Sequence, residues 1–69
     1  MKMDYHFIRF IKDRGENWIC TNSRSGDPLG SVEEYADWDQ FVFVPRESVI
    51  FSADCLVDIA HFLRQLSKK

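Results

Sequence analysis

Four side chains in this sequence could attack an electrophile, shuttle a proton or hold a metal: Cys20, Cys55, His6 and His61. Nucleophilic catalysis needs a thiolate, a base within hydrogen-bond reach and a group that orients the base. None of the four lies in a motif of that kind. On a helix over the last third of the chain, Cys55 falls on the inner face and His61 on the outer stripe, so they point apart. Cys20 and His6 fall on neighbouring strands, where a pairing is geometrically open. Structural zinc is held by closely spaced ligand pairs such as C-x-x-C, and here the cysteines and histidines are scattered singly. Asp37 and Asp39 make a carboxylate pair, but with no further ligand spacing they read as a solvated turn tip. Gly15, Gly26 and Gly30 are isolated, which is not a phosphate-binding loop. The expectation is a non-enzymatic protein with no metal and no cofactor.

A different constellation stands out. Residues 25–45 carry five acidic side chains (Asp27, Glu33, Glu34, Asp37, Asp39), no Lys or Arg, and the rings of Tyr35, Trp38, Phe41 and Phe43. Aromatic side chains are common anchors at interfaces, and carboxylates around them select against phosphate and for a cationic partner. The formal net charge is −2, so whole-molecule electrostatics do not draw the chain to nucleic acid or to an anionic membrane. Residues 1–24 hold Lys2, Arg9, Lys12, Arg14 and Arg24 against three acids, and residues 46–69 hold Arg46, Arg64, Lys68 and Lys69 against three. All of the net negative charge sits in the middle.

These groups need a scaffold, and 69 residues suffice for a single domain spanning 1–69 with one core. A domain of this size buries only roughly 60% of the surface its unfolded chain exposes. The composition, 45% hydrophobic and 29% charged, belongs to folded globular domains. Neither a signal-peptide run nor a membrane-length apolar segment is visible, so a cytosolic protein is expected. Two cysteines without a secretion signal read as free, buried thiols.

Residues 5–12 read as a first strand, with Phe7, Ile8, Phe10 and Ile11 clustered too closely for clean alternation. Residues 13–16 supply a turn with Gly15 at positive φ, and residues 18–22 a second strand with Trp18, Cys20 and Asn22 on one face. The strongest loop signal is residues 23–28. Strands follow at 29–35 and 40–44, the latter closed by Pro45, and residues 49–51 suggest a short extended segment. Ser52 is suited to cap a helix reaching to about Lys68, with Asp54 in its first turn and Lys68 and Lys69 at its end. Leu56, Ile59, Leu63 and Leu66, flanked by Cys55, Ala60 and Phe62, form its apolar face; Asp54, Asp58, His61, Gln65 and Lys68 form its wet stripe. The predicted architecture is α+β: a four-stranded antiparallel meander with one C-terminal helix packed on one face. Nothing in the sequence covers the other face, which should meet a partner or a second copy of the chain.

The pattern Trp18-x-Cys20-x-Asn22, Leu29-Gly30-x-Val32, Tyr35, Trp38, Phe41-x-Phe43-x-Pro45 and Phe51-Ser52-x-x-Cys55-Leu56-x-Asp58-Ile59-x-x-Phe62-Leu63 resembles a group of short, uncharacterised proteins of tailed bacteriophages and prophages. In that group the middle reads roughly L-G-x-I-x-W-Y-x-x-W-R-x-Y-x-F-x-P, and this chain has Glu34 where a Trp is usual and Asp39 where an Arg is usual. A basic-aromatic surface in such relatives would be acidic here. The resemblance implies an accessory protein in the cytoplasm of a bacterial host, and it implies no activity.

The leading expectation is therefore an accessory protein that binds a host or phage protein of basic surface through Glu33, Glu34, Tyr35, Asp37, Trp38 and Asp39, and that self-associates through its sheet. The competing view of Trp38 is that it folds back onto its own domain. One alternative function is a single-stranded nucleic-acid-binding module, since small sheets with exposed aromatics stack bases; it lacks the Lys/Arg stripe that tracks a backbone. The other, a cysteine-dependent enzyme, requires a reactive thiol of lowered pKa.

Overall fold

A computed structural model describes residues 1–67, so the expectations for Lys68 and Lys69 lie outside the described residues. The chain runs β1 (Ile8–Lys12), β2 (Trp18–Asn22), β3 (Pro28–Tyr35), β4 (Gln40–Pro45) and α1 (Ala53–Leu66). The strands pair in sequence order, every neighbour antiparallel. The fold is thus the α+β meander with a C-terminal helix that the sequence predicts.

Period-two alternation decides what each strand buries. Ile8 and Phe10 on β1, Trp18 and Cys20 on β2 and Val32 on β3 point to one side and are buried with Ile59 and Phe62 of α1. The core is centred on Phe62, whose ring stacks on Phe10 at 3.8 Å and 3° and meets Trp18 edge-on at 5.1 Å. Gly30 lies in the same layer because nothing larger fits: an added Cβ would fall 2.6 Å from the Phe43 ring and 2.7 Å from the Val44 carbonyl oxygen. The crowded apolar run of β1 resolves by alternation too, with Phe7 and Ile11 both about half exposed. Cys20 and Cys55 are free thiols, the first buried and the second half-buried.

Four features depart from the expectations, the first being that β1 starts at Ile8 rather than at residue 5. Residues 49–51 form no strand, and Ile50 is 92% exposed. Leu56, expected on the packed face of α1, is 53% exposed; of the first turn only Cys55 packs on the core. At the other end, the wet stripe is not wholly solvated. The Tyr5 hydroxyl meets His61 Nδ1 at 2.7 Å, the Lys2 backbone N–H donates to Gln65 Oε1, and Gln65 Nε2 donates to the Lys2 carbonyl. The N-terminal segment, bridged to β1 at Asp4 and Arg9, is thereby fastened to the helix.

Candidate partner-binding site

The β3–β4 hairpin carries all six candidate residues, and its turn is built by local chemistry. Tyr35 pairs with Gln40, and residues 36–39 close the loop. The Trp38 N–H donates to the Tyr35 carbonyl and the Asp39 N–H to the Ala36 carbonyl, each at 3.2 Å. Asp39 then takes φ 52°, the left-handed conformation that Asp tolerates better than most residues and that returns the chain into β4.

Trp38 does not fold back onto the sheet. It is 66% exposed, and its ring meets Tyr35, itself 41% exposed, edge-on at 4.9 Å. Each ring limits the other's rotation, so the pair is presented with part of its ordering already achieved. Asp37 and Asp39 flank them in the same turn and are exposed.

The two glutamates separate. Val32 is buried under the helix, so alternation puts Glu33 and Tyr35 on the uncovered side and Glu34 on the helix side. Glu33 lies opposite Val42 and accepts a hydrogen bond from Ser31 Oγ at 3.0 Å. Glu34 lies opposite the half-buried Phe41. The structure therefore brings Glu33, Tyr35 and Trp38 to one aspect of the hairpin and leaves Glu34 on the other, with Asp37 and Asp39 exposed in the turn between the strands. Phe41 and Phe43, the remaining rings of this segment, pack against the core.

The two cysteines come together in the core, and the two histidines lie elsewhere. Cys20 is fully buried opposite Phe10 and Gly30, and burial, reinforced by the neighbouring Cys55 thiol, pushes its pKa up to about 12. His6 is exposed beside Phe7, and His61 is held by Tyr5, whose own hydroxyl pKa is raised by burial and by the Asp58 carboxylate. Among the described residues, no three His, Cys, Asp or Glu side chains converge as a metal ion requires. No helix among them is long and apolar enough to cross a membrane.

The basic residues of the first hairpin are partly engaged. Arg9 pairs with Asp4 at 2.6 Å, and the Lys12 ammonium lies over the Trp18 ring, 4.9 Å from its centroid. The row that crosses the middle of the uncovered sheet face, Ile11–Ile19–Ser31–Val44, holds no ring on which a base could stack. Comparison with protein families, with curated proteins and with solved structures finds no match to this chain.

Proposed function

We propose that this protein is a non-enzymatic binding protein, an accessory factor of the phage or prophage kind, whose β3–β4 hairpin docks onto a basic surface of another protein. The observation that carries this reading is the exposed, mutually braced Tyr35–Trp38 pair set among carboxylates. Large rings provide the contact area, the acids provide charge selectivity and long-range attraction, and neither belongs to the core. A buried thiol held in its neutral form is a poor nucleophile, which supports binding over cysteine chemistry.

The test compares the wild-type protein with a Tyr35→Ala/Trp38→Ala variant as baits in bacterial cells, with circular dichroism as the control for folding. The expected result is a variant that keeps its spectrum and thermal midpoint but loses the protein that the wild type captures. Equal capture by both baits overturns the proposal. So does micromolar oligonucleotide binding that falls steeply with salt, the signature of phosphate contact.

A further inference from the structure

Beyond the hairpin, we infer that the uncovered face of the sheet is a homodimer interface, closed by a two-fold axis running across the strands. The strand register places Ile11, Ile19, Ser31 and Val44 in one row, one residue from each strand, on the side away from the helix. Ile11 is 49% and Val44 44% exposed, an apolar band of a kind that small domains usually cover.

Charge on either side of the band selects the occupant. Along one flank lie Arg9, Pro28 and Arg46, the last placed there by its N–H bond to the Leu29 carbonyl, with Thr21 between them buried and donating its hydroxyl to the Arg9 carbonyl. Along the other flank lie Asp13, Glu33 and Val42. Asp13, Ile19, Val44 and Arg46 border one shallow depression, together with Gly30 and Pro45. One side is thus basic and the other acidic; Arg9 is already held by Asp4, which leaves Arg46 as the cation of this flank without an ion pair among the described residues.

A second copy turned about an axis along the apolar row sets each flank against the opposite flank of its mate. Ile11, Ile19 and Val44 meet their own counterparts, Arg46 comes over the partner's Val42 beside the partner's Glu33, and the strands of the two sheets stay roughly aligned. This is the self-complementarity that an isologous contact demands, in the aligned geometry common to face-packed sheets. Five residues at about 3.4 Å each and four strands about 4.8 Å apart give a face of roughly 17 by 19 Å. That is smaller than the roughly 800 Å² each partner contributes to a standard interface, so the dimer is weak and dissociates on dilution.

Sedimentation equilibrium over a wide concentration range tests this. The wild type should rise from one chain mass towards two, while Val44→Lys stays at one with an unchanged circular dichroism spectrum. Arg46→Glu should weaken association about tenfold, and adding Glu33→Arg to it should restore association. Trp38→Ala should associate like the wild type, which keeps this result separate from the fate of the hairpin proposal. A single chain mass at every concentration, association undiminished by Val44→Lys, or no rescue by the charge swap would each overturn the inference.

Discussion

At the scale of single residues, two side-chain environments make sharp demands. Gly30 sits where an added Cβ would meet the Phe43 ring at 2.6 Å and the Val44 carbonyl oxygen at 2.7 Å, and the backbone half of that crowding cannot be relieved by a rotamer change. Gly30→Ala should therefore destabilise the fold by about 1–3 kcal/mol, measured as a lower urea midpoint. Cys20 is the second case. Its thiol has an ordinary pKa of 9.0 and is raised to about 12 in the fold, first by burial and then by Cys55. The unfolded chain releases this proton at lower pH than the folded one does, so the contribution is intact below pH 9 and is lost progressively as pH climbs towards 12. Denaturation midpoints measured across that window should fall, and should fall less in Cys20→Ala. The burial of Cys20 was legible from its place between Trp18 and Thr21 in an alternating strand. The crowding at Gly30 was not, since it depends on which ring lies across the sheet.

At the scale of elements, strands and helix follow local rules closely, and the differences have local causes. All four strands and the helix were readable from alternation, turn residues and the Ser52 cap. The structure adds the irregularity between Cys20 and Thr21, where Leu29 is the extra residue of β3, and the Asp4–Arg9 bridge; neither leaves a mark in periodicity. Leu56 shows the limit of a helical wheel. It lies on the apolar arc, yet it is more than half exposed, as is Val57 beside it. With so little of the first turn buried, the cap matters more: the Cys55 N–H bonds to Ser52 Oγ at 3.2 Å, and Cys55 is the one residue of that turn packed on the core. Ser52→Ala should cost about 1 kcal/mol, seen as a thermal midpoint lower by about 4–8 °C for a domain of this size. Ser52→Asp, which keeps an acceptor at the helix N-terminus, should retain the midpoint.

At the scale of the whole molecule, the sheet divides the labour. One side is consumed by α1 and the aromatic core, the other presents the row of Ile11, Ile19, Ser31 and Val44, and the turn of the β3–β4 hairpin presents its exposed ring pair. The acid-aromatic composition of the hairpin was visible in the sequence. What was not visible is that Glu34, and not Glu33, takes the helix side: strand phase alone sets the two apart, and the burial of Val32 fixes which is which. The tip also has a meaning for how such a scaffold can change over time. Residues 36–39 place no side chain in the core, and only Asp39 is bound to an unusual backbone shape. Three of the four positions can be rewritten without touching the fold, so new specificities can be grafted there, by natural drift or by a displayed library, provided the fourth stays Asp, Asn or Gly.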